Sequence, residues 1–102
     1  MACSSSEITS GYGDEQNALA FNGRGNVYYA TKDFDRAIID YTAAINIDNS
    51  MTWAYNNRAY AYRSRGRSGD RDSAIADFRR ALTIEPNFEN SVRGLREMGV
   101  KP

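Results

Sequence analysis

The sequence predicts an all-α fold, an α-solenoid of antiparallel helix pairs, and three observations carry that expectation. The first is an internal repeat: Asp33–Ile47 returns as Asp70–Ile84, with Ala37, Tyr41, Ala44 and Ile47 matched by Ala74, Phe78, Ala81 and Ile84, each 37 residues on. The second is spacing, since both sets step by four and then by three and so fall on one helical stripe. The third is that the preceding segment recurs as well. Ala20–Tyr28 aligns with Ala54–Tyr62, so that Phe21, Arg24, Gly25 and Tyr28 meet Tyr55, Arg58, Ala59 and Tyr62 at an offset of 34 residues. Each unit is therefore a helix pair in which small alanines permit close approach and Tyr41 or Phe78 fills the space between layers. The difference between the two offsets places three extra residues between Tyr62 and Ala74, in the run Ser64–Gly69.

Taken in order, residues 1–13 are small, polar and without periodicity, and read as a flexible leader. Asp14 or a neighbour caps a helix that runs to about Ala30, Thr31 and Lys32 make the turn, and Asp33 caps a second helix that stops near Asp48-Asn49-Ser50. A third helix is expected over about Met51–Ser64 and a fourth over about Arg71–Ile84, with the glycine-containing insertion between them. Pro86 ends the fourth helix, and Asn87 caps a short fifth over about Phe88–Met98, closed by Gly99 and Pro102. Val92 and Leu95 stand where Tyr55 and Arg58 stand one unit earlier, so this last helix imitates the first half of a third unit and covers the open face of the fourth helix. The chain thus divides into a leader (1–13), a first repeat (14–50), a second repeat with the insertion in its inter-helix loop (51–86), a capping helix (87–99) and a tail (100–102).

Composition excludes several functions. With no histidine and a single cysteine, Cys3, a histidine-based triad, a Cys/His zinc site and an internal disulfide are all ruled out, and no cofactor is expected. No apolar run reaches the roughly 18 residues of a membrane span. The cytoplasm is the favoured compartment, with an exported or lipid-anchored form as the alternative if Cys3 follows a removed signal. Thirteen basic and thirteen acidic residues balance over the whole chain, which gives no general reason to expect nucleic acid. Their distribution is uneven: residues 1–51 hold three basic and seven acidic groups and residues 52–102 ten and six, so the halves carry net charges of −4 and +4.

Helix pairs at a 34-residue period with this residue order resemble the tetratricopeptide repeat, whose pattern is W-x2-L-G-x2-Y, A-x3-F and P. Phe21, Gly25, Tyr28, Ala37 and Tyr41 stand for the first copy, and Tyr55, Ala59, Tyr62, Ala74, Phe78 and Pro86 for the second. Arg24 and Arg58 replace the pattern's leucine, and Asn49 replaces the first copy's proline. The resemblance implies that the first helix of each pair lines a concave groove for a partner's peptide. The implied groove residues are Asn22, Asn26 and Tyr29 from the first helix, Trp53, Asn56, Asn57, Tyr60 and Arg63 from the third, and Asn90 and Arg93 from the fifth. Asparagine offers a donor and an acceptor together and so pairs with an extended backbone whatever its sequence, aromatics give flat contact area, and arginine takes a carboxylate in bidentate fashion. In the branch of this family that clamps the C-terminal carboxylates of heat-shock chaperones, Asn26 and Asn57 match two clamp asparagines. Asn22, Asn90 and Gly94 fall where that branch has lysine, lysine and arginine, so its ligand is not expected.

The resulting expectation is a non-catalytic adaptor that binds another protein or peptide. Carboxylate pairs such as Asp33/Asp35 and Asp70/Asp72 lie at helix starts, where capping accounts for them without catalysis. One alternative is a self-associating module, a homo-oligomer stacked through its repeat ends, the acidic half of one copy on the basic half of the next. A second is nucleic-acid contact through the arginine-rich loop 63–71, against which Asp70, Asp72 and Asp77 intervene.

Overall fold

A computed structural model describes the backbone of residues 12–102 and the side chains from residue 15 onward. Apart from Tyr12 and Gly13, the expected leader, with Cys3 in it, lies outside the described residues. Five helices follow one another: α1 (Tyr12–Ala30), α2 (Phe34–Ile47), α3 (Thr52–Arg65), α4 (Asp70–Ile84) and α5 (Glu89–Glu97). Asp14 stands inside α1, which opens at Tyr12, ahead of the expected cap.

The connections show why the helices stop where they do. After α1 the chain turns through Lys32, whose φ of 67° is the left-handed conformation, and the amide of Asp33 donates back to the Tyr28 carbonyl at 2.8 Å. The Asp33 carboxylate then accepts from the Arg36 amide at 3.3 Å, the capping bond its position promised. Asp48 ends α2 by accepting both the amide and the hydroxyl of Ser50, at 3.0 and 2.7 Å. Gly66 and Gly69, both at positive φ, bracket the α3–α4 loop, and Gly99 does the same after α5. One expectation is corrected: the residue that caps α5 is Phe88, with no side-chain cap bond, and not Asn87. Phe88 is held there by its ring, edge-on to Trp53 at 4.8 Å between centroids.

The repeated stripe is the core. Ala37, Tyr41 and Ala44 of α2 and Ala74, Phe78 and Ala81 of α4 are all buried, whereas Ile47, the last residue of the first stripe, is 36% exposed. Two glycines let helices meet these rings. A Cβ on Gly25 would sit 2.6 Å from the Tyr41 ring, and one on Gly94 would run into the Phe78 ring, so α1 rests directly on Tyr41 and α5 directly on Phe78. α5 buries Ser91, Gly94 and Leu95 on one face and so closes the end of the array.

Helices α1, α3 and α5 touch one another in sequence, while α2 and α4 each touch only the helices before and after them. The array therefore curves with α1, α3 and α5 on its inner side.

Candidate functional site

The concave side is assembled by hydrogen bonds between helices of different units. The Asn57 amide donates to Asn22 Oδ1 at 3.2 Å, joining α3 to α1, and Asn57 Oδ1 accepts from the Asn56 amide at 3.4 Å. The Tyr41 hydroxyl reaches through from α2 and donates to Asn26 Oδ1 at 2.6 Å. That leaves the Asn26 NH2 as a donor and fixes which way the amide faces. Burial pushes the Tyr41 phenol well above its ordinary pKa, so it stays protonated and keeps donating. Tyr29 shares a hydrogen bond with Ser64 at 3.2 Å and sets its ring edge-on to Phe34 at 5.4 Å. Tyr60 stacks edge-on against Phe78 at 5.0 Å, donates from its hydroxyl to the Asn90 carbonyl at 3.1 Å, and carries the Arg63 guanidinium 4.7 Å above its ring.

Asn26, Tyr29, Asn57 and Tyr60, with Tyr41, line one shallow cleft of about 100 Å³. Four residues inferred from the sequence thus come together. Asn22 adjoins the cleft through its bond to Asn57. Trp53 is not part of it: half exposed, it stands at the start of α3 against Phe88. Asn90 accepts from Arg93 at 2.7 Å, which places both on the start of α5, and Arg63 pairs with Glu97 at 2.8 Å.

Asn56 is a correction. It is 2% exposed, and its Oδ1 accepts from the fully buried Ser91 hydroxyl at 2.9 Å, so it ties α3 to α5 and offers nothing to a ligand. The family resemblance implied a groove position for it, but the fifth helix covers it.

Two features went unread in the sequence although a signal was present. Tyr41 and Phe78 hold the same place in the repeat, yet only Tyr41 carries a hydroxyl, and a buried hydroxyl must find an acceptor. Arg24 and Arg58 make paired bonds to Asp40 (2.7 and 2.9 Å) and Asp77 (2.7 and 2.8 Å). The aspartates recur 37 residues apart, like the stripe on which they lie, and so were visible as a repeated charge pair.

Part of the arginine-rich loop is paired within the chain. Arg65 holds Asp70 with two nitrogens, both at 2.9 Å, and Asp35 with a third at 2.9 Å; Arg67 also reaches Asp35, at 3.0 Å. Asp35 and Asp70 thus interrupt the run of positive charge that a nucleic-acid backbone would follow. No helix of the described residues is long and apolar enough to cross a membrane.

Two family models match the chain, one described as TPR repeat over residues 25–66 and one as Tetratricopeptide repeat over residues 54–88. Among curated proteins the chain is 33% identical over 98 residues to DnaJ homolog subfamily C member 7 of Mus musculus, an alignment that covers 95% of this chain and 19% of that protein. It is 34% identical over 86 residues to Hsp70-Hsp90 organizing protein 3 of Arabidopsis thaliana, covering 80% of this chain and 15% of that one. A third similarity, 39% over 49 residues, is to serine/threonine-protein phosphatase T of Saccharomyces cerevisiae, with 48% of this chain and 10% of that protein covered. The chain thus spans about a fifth or less of the length of these relatives. Among solved structures, the first TPR of Spaghetti (RPAP3) bound to HSP90 peptide SRMEEVD superposes with a TM-score of 0.51 and 23% identity over 83% of this chain and 92% of that one. That likeness is one of fold.

Proposed function

The chain belongs to the tetratricopeptide repeat family, and from that premise we propose that it is a non-catalytic adaptor whose concave groove holds an extended segment of a partner protein. The observation that carries this reading is the cleft between α1 and α3, where Asn26 and Asn57 amides stand beside the Tyr29 and Tyr60 rings on the inner side of the curve. The amides serve a peptide backbone of any sequence, and the rings add flat apolar area. Both asparagines are pinned by neighbours, so little side-chain freedom is lost when a partner arrives. The heat-shock peptide in the superposed structure belongs to that protein's groove. Here Asn22, Asn90 and Gly94 replace the basic clamp, and SRMEEVD is expected to bind far more weakly than peptides chosen for this groove.

The test is selection of peptides from a displayed random library on the immobilised chain, followed by affinity measurement on variants. Asn57→Ala and Tyr29→Ala are each expected to weaken selected peptides by about tenfold while leaving helicity unchanged. Selected peptides that bind both variants as they bind the parent chain would overturn the groove reading.

One observation favours self-stacking as a second reading. Ala54 and Ala61 of α3 are fully buried, in clusters with residues of α2, and their counterparts one repeat earlier, Ala20 and Val27 of α1, are exposed, Val27 by 62%. α1 thus leaves open a face that its repeat-mate covers. Sedimentation at high concentration and low salt decides this: a monomer throughout rejects it, and an oligomer that Val27→Glu dissolves supports it.

A further inference from the structure

We propose that a second cleft, between the α3–α4 loop and the end of α5, is an anion subsite that takes one carboxylate or phosphate group of the peptide held in the groove, an inference that rests on the groove reading above. The cleft has a volume of about 340 Å³ and is lined by Arg63, Arg67 and Arg71 with Tyr62, Glu97 and Met98. Three arginines thus line the cleft with one acidic residue, Glu97, which pairs with Arg63.

Their bonding leaves them under-used. Arg63 gives one N–H to Glu97 at 2.8 Å, Arg67 one to Asp35 at 3.0 Å, and Arg71 one to the Met98 carbonyl at 3.0 Å. Each guanidinium has five donors in a planar fork, so the remainder is available to an oxyanion. Arg65 differs, for all three of its nitrogens bond Asp70 or Asp35 and it does not line the cleft. Arg71 also stands in the first turn of α4, where the helix dipole disfavours a cation, and an anion beside it would relieve that misfit.

The same cleft adjoins the groove. Arg63 lies over the Tyr60 ring, and Tyr60 lines the groove cleft, so a peptide passing Tyr60 brings its next side chain to the arginines. These positions are not those of the heat-shock carboxylate clamp, which fall at Asn22, Asn26, Asn57, Asn90 and Gly94.

The experiment is an NMR titration of the isotope-labelled chain at neutral pH with N-acetyl-phosphoserine amide and, separately, N-acetyl-glutamate amide, with sodium chloride as the ionic control. Saturable amide shifts over residues 66–71 and 97–99 are expected with at least one probe, and the two arms tell phosphate from carboxylate. Arg67→Gln with Arg71→Gln is expected to weaken the probe by about tenfold. Glu97→Gln, which removes the competing carboxylate and frees Arg63, is expected to tighten it. No saturable shift in these segments, shifts that persist unchanged in the double variant, or a Glu97→Gln chain that binds no tighter would each overturn the subsite. Library peptides that lose no affinity in the double variant would equally remove the cleft from the partner's footprint. The small probes do not engage the groove, so a failed groove leaves their shifts in place, and a failed subsite leaves peptide selection intact.

Discussion

Arg58 is where the chain departs furthest from a helical repeat built on apolar contacts, since its side chain is 17% exposed and faces Asp77, 9% exposed. Burial works against the Arg58 charge, but the Asp77 hydrogen bonds and charge outweigh it and hold the guanidinium pKa above its ordinary value. Arg58→Ala is therefore expected to cost about 3 kcal/mol in urea unfolding, because it strands a buried carboxylate. Arg58→Leu combined with Asp77→Leu removes both charges together and is expected to come close to the parent's stability. At Tyr41 the question is one hydroxyl. Tyr41→Phe copies Phe78 of the second repeat, and is expected to cost about 1 kcal/mol and to weaken selected peptides by releasing the Asn26 amide.

At the level of the element, packing depends on where a helix lacks a side chain. Gly94 of α5 has the Phe78 ring where a Cβ would stand, and Gly23 of α1 has open space there. Gly94→Ala is expected to cost about 1–3 kcal/mol as α5 is pushed off α4, while Gly23→Ala is expected to stabilise α1 by about 0.5–1 kcal/mol. Thermal unfolding of the two variants, each one methyl larger, checks opposite signs. Ala74→Leu follows the same logic in α4, where a fully buried methyl has no room to grow, and is expected to unfold the domain or nearly so.

Across the whole molecule, Arg65 ties the end of α3 to the starts of α2 and α4 through Asp35 and Asp70. The Arg65 hydrogen bonds hold both carboxyls below the usual carboxylate range, with Arg67 adding to the effect. Groups depressed in the folded chain contribute stability above about pH 4, and that contribution is lost as pH falls through their folded values. The parent is accordingly expected to lose stability on acidification below about pH 4, and Arg65→Gln to flatten that slope in urea unfolding measured from pH 5 to 2. Asp35 is exposed at the edge of the array whereas Asp70 is buried, so added salt is expected to narrow the Asp35 part of the difference.

Periodicity alone determined the helical class, the pairing of helices, the stripe Ala37-Tyr41-Ala44 with its copy, and the glycine-rich loop, because these follow from residue size and helical spacing along the chain. It also set Asn26 with Tyr29 on one helix face and Asn57 with Tyr60 on another, while the family resemblance implied that the two faces share a groove. Only the tertiary structure decided what each face meets. It buried Asn56 under Ser91, set Trp53 against Phe88 away from the cleft, brought the Tyr41 hydroxyl through to Asn26, and closed Arg63, Arg67 and Arg71 around one space. Those outcomes depend on how α5 docks and where the α3–α4 loop folds back. Spacing within one helix carries no information on the distance to a side chain on another.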